Sequence, residues 1–106
     1  MTHLTTHILD STTGTPAAGV AVALTGPDGA MIASGLTDAD GRLALGPDAL
    51  DAGTHTLVFE TAPYFASLGA EAFYPSVTVA FTVADRTHYH VPLLLSPFAY
   101  STYRGS

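Results

Sequence analysis

The chain has 106 residues, 47% hydrophobic and 11% charged, with a formal charge of −6; that is room for one domain, 1–106, with a modest core, and too apolar for a disordered chain. Its fixed cations are Arg42, Arg86 and Arg104 alone, with no lysine, which argues against a nucleic-acid backbone or an anionic membrane as partner. The absence of cysteine excludes a disulfide scaffold, a thiolate nucleophile and a zinc site built on sulfur.

Short apolar or alternating runs broken by Gly, Pro and Asp recur along the whole chain, the pattern of an all-β sandwich of about eight strands. The first predicted strand, Leu4–Asp10, turns Leu4, Thr6 and Ile8 to one side and Thr5, His7 and Leu9 to the other. If Leu4 and Ile8 are core, His7 faces outward. Val20–Thr25 and Ala30–Leu36 are joined by Gly26-Pro27-Asp28-Gly29 as a hairpin loop. Asp38-Ala39-Asp40-Gly41 then precedes a strand at Arg42–Leu45; it reads as a turn, because the later oxygen ligands of a calcium loop are missing. A strand at Thr54–Glu60 follows. Tyr64–Gly69, after Pro63 and with little β-branching, predicts one short helix. Ser76–Ala84, Tyr89–Leu95 and Tyr100–Arg104 complete the strands. Along the penultimate one, Tyr89, Val91, Leu93 and Leu95 suit a core, while His88, His90, Pro92 and Leu94 point the other way. A strand apolar on both faces is buried on both, so a partner subunit is expected on the outer one.

Five histidines are many for this length, and imidazole is the side chain that titrates near neutrality. His3 and His55 read as solvated surface residues, and His88 stays open between surface and site. His7 and His90 stand out, each opposite the expected core with apolar neighbours. His88 and His90, at i and i+2, could share a zinc ion with His7, but no carboxylate or thiol is placed by sequence to orient such ligands; a site without metal or cofactor is the expectation. Arg42 offers a planar donor fork for a carbonyl-rich or anionic heterocycle, beside the alternative of a solvent-facing strand residue. No nucleophile elbow or phosphate-binding glycine loop is present.

Three segments, Leu4-Thr5-Thr6-His7-Ile8-Leu9-Asp10, Thr37-Asp38-Ala39-Asp40-Gly41-Arg42 and His88-Tyr89-His90-Val91-Pro92-Leu93-Leu94-Leu95-Ser96-Pro97 running on to Tyr103-Arg104-Gly105-Ser106, together resemble the signatures of the 5-hydroxyisourate hydrolases, enzyme relatives of transthyretin. The resemblance covers essentially the whole chain, and its last segment is the most restrictive. It implies a prealbumin-like, two-sheet sandwich and hydrolysis of 5-hydroxyisourate in urate breakdown. By motif, it implies catalytic roles for His7, Arg42 and His90 and substrate contact by His7, Arg42 and Tyr103, with Arg104, Gly105 and Ser106 completing a terminal signature. It further implies a homotetramer, a dimer of dimers with active sites between the dimers. No apolar run approaches the roughly 20 residues of a bilayer span, and Met1-Thr2-His3-Leu4 has no basic start, so a cytoplasmic location is expected.

Overall fold

Alternation of buried and part-exposed residues along Leu4–Asp10 governs how the computed structural model is built: Leu4, Thr6, Ile8 and Asp10 face inward, and Thr5, His7 and Leu9 face out. The structure describes residues 2–85 and 87–106, so Arg86, one of the three arginines, and Met1 lie outside the described residues. The elements are β1 (Leu4–Asp10), β2 (Thr15–Pro16), β3 (Ala21–Thr25), β4 (Met31–Leu36), β5 (Arg42–Leu45), β6 (Gly53–Glu60), α1 (Thr61–Ser67), β7 (Val77–Val83), β8 (Tyr89–Ser96) and β9 (Ala99–Thr102).

They form two sheets. One runs β2-β1-β8-β9, with β5 also paired to β1; the other runs β4-β3-β6-β7. Within the first, β1 and β8 are parallel, with Thr5 opposite His90 and His7 opposite Pro92. On its other edge β1 takes β5 antiparallel, with His7 opposite Arg42. Directly paired residues share a sheet face, so this register alone brings His7, Arg42 and His90 onto one surface from three adjacent strands.

The core between the sheets is filled by Leu4, Ile8, Leu93 and Leu95 from one side and Val22, Leu24, Leu57, Phe59 and Val77 from the other. Burying each such side chain is worth roughly 1.5–3 kcal/mol. This is the two-sheet sandwich with one short helix that the punctuation implied, with strand ends shifted by a residue or two and the two-residue β2 added. The helix begins three residues earlier than expected. Pro63 sits in its first turn, where backbone N–H groups have no helical partner and a missing one costs little. Ala62 N–H instead donates to the Pro75 carbonyl at 3.0 Å, and the Thr61 hydroxyl donates to the Tyr74 carbonyl at 2.7 Å.

Two histidines read as solvated are buried. His55 is 1% exposed because its parity is that of Leu57 and Phe59 on β6. His3, 3% exposed, precedes β1 and tucks under the loop before β6, where its Nδ1 accepts the Leu50 N–H at 2.8 Å and its ring meets Tyr89 edge-on at 5.2 Å. Among the described residues no helix is long and apolar enough to cross a membrane.

Candidate active site

Asp38 organises one wall of the site. Its Oδ1 accepts the N–H groups of Asp40 at 2.9 Å and Arg42 at 3.0 Å, while the Gly41 N–H donates to its carbonyl. The carboxylate is thus used by the backbone of a tight turn, as the sequence suggested. Gly41 closes the turn with a φ of +73°, and a Cβ there would run into the Ile8 carbonyl and lie 3.1 Å from the Ala17 nitrogen. Glycine is required on both counts. The turn fixes where Arg42 enters β5 and holds the Asp40 carbonyl 2.9 Å from Nε2 of His7. A carbonyl only accepts, so His7 carries its proton on Nε2 and, when neutral, leaves Nδ1 bare.

His90 forms the opposite wall. Its Nδ1 lies 2.8 Å from the Thr5 hydroxyl. The antiparallel register of β8 and β9, Leu93 with Thr102 and Leu94 with Ser101, ends in an isolated bridge between His90 and Gly105. Through it the Gly105 N–H donates to the His90 carbonyl at 2.7 Å. A Cβ on Gly105 would press into Cδ2 of the His90 ring and lie 3.2 Å from its Cγ and 3.1 Å from Cγ of Pro92. The glycine of the terminal signature therefore has a steric reason: it lets the chain end lie flat against the imidazole.

Between these walls is a cleft of about 480 Å³, lined among others by Thr5, Leu36, Asp38, Arg42, His90 and Ser106. His90 is held below the ordinary histidine range, first by burial and next by the positive charge of Arg42, against an opposing contribution from a hydrogen bond to Thr5 and with smaller lowering ones from His7 and His88. Both leading causes disfavour imidazolium. The cleft can thus offer a neutral imidazole as proton acceptor beside a guanidinium that binds carbonyl or anionic oxygen, the pairing needed to activate water against a polarised carbonyl.

The expected residues do not all meet there. His7 stands beside the cleft, in register with Arg42. Tyr103, 59% exposed, has the strand parity of Ser101 and Gly105 but borders a second cavity of about 310 Å³ with Val79, Phe81, Tyr89 and Arg104. Arg104 lies over the Tyr89 ring at 4.6 Å and donates to the Thr87 hydroxyl at 3.4 Å. No group of three or more His, Asp or Glu side chains able to hold a metal occurs among the described residues. Sequence reasoning passed over Thr5, and took Asp38 for a turn residue without placing it at the cleft. The Asp-x-Asp-Gly pattern could have pointed to Asp38, whereas nothing local marks Thr5, which matters only because β8 lies beside it.

A two-sheet prealbumin-type sandwich with an imidazole and guanidinium cleft on one outward sheet face defines the class. The chain belongs to the HIUase/Transthyretin family, whose model matches residues 4–105. A Schizosaccharomyces pombe protein named a probable 5-hydroxyisourate hydrolase is 45% identical, with 97% of this chain and 90% of that protein covered. Among solved structures, the Klebsiella pneumoniae 5-hydroxyisourate hydrolase is 43% identical over all of both chains, with a TM-score of 0.91. Sea bream transthyretin in complex with thyroxine is 34% identical over 97% of this chain and 94% of that one, with a TM-score of 0.89.

Proposed function

We infer that this chain, read as one domain over 1–106, is a 5-hydroxyisourate hydrolase, which converts 5-hydroxyisourate to 2-oxo-4-hydroxy-4-carboxy-5-ureidoimidazoline in urate degradation. The observation that carries the reading to this cleft is the placement of His90, depressed in basicity, in one cleft with Arg42. The similarity to proteins of that name over nearly the whole chain supports the activity.

In the mechanism assigned here, Arg42 grips substrate oxygen and draws electron density from a ring carbonyl. Water adds to that carbon while the bare nitrogen of His90 takes its proton. The amide C–N bond then breaks, and protonated His90 returns the proton to the leaving nitrogen. His7, in register with Arg42, orients water or substrate through its free Nδ1. The substrate contact that the resemblance gives Tyr103 finds no place in the single chain, where Tyr103 borders the second cavity, while Ser106 lines the cleft with His90. A general base contributes about 10²- to 10⁴-fold.

The assembly assigned to the chain is a homotetramer, a dimer of dimers with the cleft between dimers. Strands β7 and β9 end their sheets, and an open edge invites pairing with another strand. Phe73 and Phe98, 67% and 66% exposed, add apolar surface that a lone chain leaves in water.

A carrier reading draws on sea bream transthyretin, a relative bound to thyroxine. Freshly generated 5-hydroxyisourate mixed with chelator-treated protein separates the readings. The hydrolase reading predicts faster loss of substrate absorbance than spontaneous decay. Binding without acceleration supports a carrier, and acceleration seen only before chelator treatment would overturn the metal-free mechanism.

A further inference from the structure

Beside His90, running from Thr5 in the cleft lining to His88 and the Thr2 carbonyl, is a line of hydrogen bonds that has no part in the proton transfers of the proposed reaction. The Thr5 hydroxyl oxygen is 2.8 Å from Nε2 of His88 and 2.8 Å from Nδ1 of His90. At the far end, Nδ1 of His88 is 3.2 Å from the Thr2 carbonyl. That carbonyl fixes the whole run. Because it can only accept, His88 carries a proton on Nδ1, and a neutral His88 then has a bare Nε2. The bare nitrogen receives the single proton of the Thr5 hydroxyl, so the Thr5 oxygen can only accept from His90. His90 must therefore carry its proton on Nδ1.

We propose that Thr5 and His88 are positioning residues that hold neutral His90 in its Nδ1–H tautomer, leaving Nε2 bare as the proton acceptor of the cleft. The purpose given to this device rests on the hydrolase reading, but the device itself does not. An isolated imidazole interconverts between its tautomers, and only one of them offers the nitrogen not already engaged by Thr5. A hydrogen-bonded partner on the far ring nitrogen sets which one is present. Thr5 is well suited to the task, since it lies directly opposite His90 in the parallel register and its half-buried side chain is tied at both ends.

The run has a direction that protonation of His88 reverses. With a proton also on Nε2, His88 donates to Thr5, and the Thr5 proton turns toward Nδ1 of His90. Neutral His90 then holds its proton on Nε2, and the bare acceptor nitrogen is lost. The other groups that bear on His90 are Arg42 from β5 and His7 from β1, with Asp38 lining the same cleft.

Long-range proton–nitrogen correlation spectra of the histidine rings, recorded above the histidine titration range on the full chain, test the proposal directly. Wild-type His90 is expected as the Nδ1–H tautomer. Thr5→Val, which keeps the β-branched shape and removes the hydroxyl, should give a mixture of tautomers, as should His88→Ala; Thr5→Ser should restore the single form. With one hydrogen bond's worth of bias gone, kcat/KM should fall roughly threefold to tenfold in Thr5→Val, mostly in kcat. A wild-type His90 protonated on Nε2, or a tautomer unchanged in either Thr5→Val or His88→Ala, overturns the proposal. A protein that leaves 5-hydroxyisourate untouched would instead overturn the hydrolase reading, while the spectra still decide the tautomer.

Discussion

Replacing Gly105 with alanine adds one methyl group at the point where the chain end crosses His90. The backbone does not object, since Gly105 is not among the glycines with positive φ. The new Cβ meets Cδ2 and Cγ of His90 and Cγ of Pro92 inside ordinary contact distance. Pro92 is fixed in β8, so relief comes from displacing the imidazole or from peeling residues 103–106 off the sheet. Regaining van der Waals contact needs a movement of roughly 1 Å, and a misplacement of that size can cost about 10²-fold in rate. The same shift strains the 2.8 Å contact between Nδ1 of His90 and Thr5. Stability should suffer far less, because the strain falls at the sheet end and the main core of Leu4, Ile8, Leu93 and Phe59 is untouched. Overpacking in a core costs about 1–3 kcal/mol; at this edge the lower end applies. Steady-state hydrolysis of 5-hydroxyisourate read beside a thermal melt separates the two effects. A variant within twofold of the wild-type rate would refute the steric role given to Gly105, as would a loss of activity fully matched by loss of fold.

Arg42→Gln removes the second cause of the depressed basicity of His90 and leaves burial, the first. With the neutral ring as the proposed base, kcat/KM should fall as pH drops through a midpoint below the ordinary histidine value of about 6.5; in Arg42→Gln that midpoint should move up, and an unmoved midpoint would remove Arg42 from the electrostatics. Tyr64 donates to the buried Asp10 carboxylate at 2.9 Å and is pushed up to about 12, first by burial, then by Asp10. Its raised value means a stabilising contribution fully present below its unfolded value of about 10 and lost as pH rises through the folded one. Tyr64→Phe should destabilise by about 1–3 kcal/mol through the orphaned carboxylate oxygen and flatten that alkaline loss, while sparing activity; chemical denaturation at two pH values reads both. Light scattering on purified protein should return four copies of the chain, and a monomer at working concentration would overturn the assembly.

The parity of β1 and β8 made much of this site legible: once Leu4, Ile8, Leu93 and Leu95 are assigned to the core, His7 and His90 must face out. The same rule, applied to Thr54–Glu60, would have placed His55 inward beside Leu57 and Phe59; composition misled where alternation was already sufficient. His3 gave no such warning, since it lies outside the regular strand and is buried by a loop more than forty residues away. Thr5, Gly105 and the pair of Asp10 and Tyr64 act across 85, 15 and 54 residues of chain. Contacts of that kind follow from strand pairing, and a sequence shows the strands before it shows their neighbours. Tyr103 and Arg104 mark the opposite limit, for a shared signature put them with the site while the fold gives Arg104 to the Tyr89 ring and Tyr103 to a second cavity.

The proposed function puts hydrolysis of 5-hydroxyisourate in this cleft, with His90 as base. The most direct test measures decay of freshly generated 5-hydroxyisourate with wild-type protein and with His90→Ala, side by side and free of metal. Clear acceleration by the wild type is expected, with a loss of about 10²- to 10⁴-fold in a variant that keeps its fold and assembly. Acceleration of equal size from both proteins would contradict it.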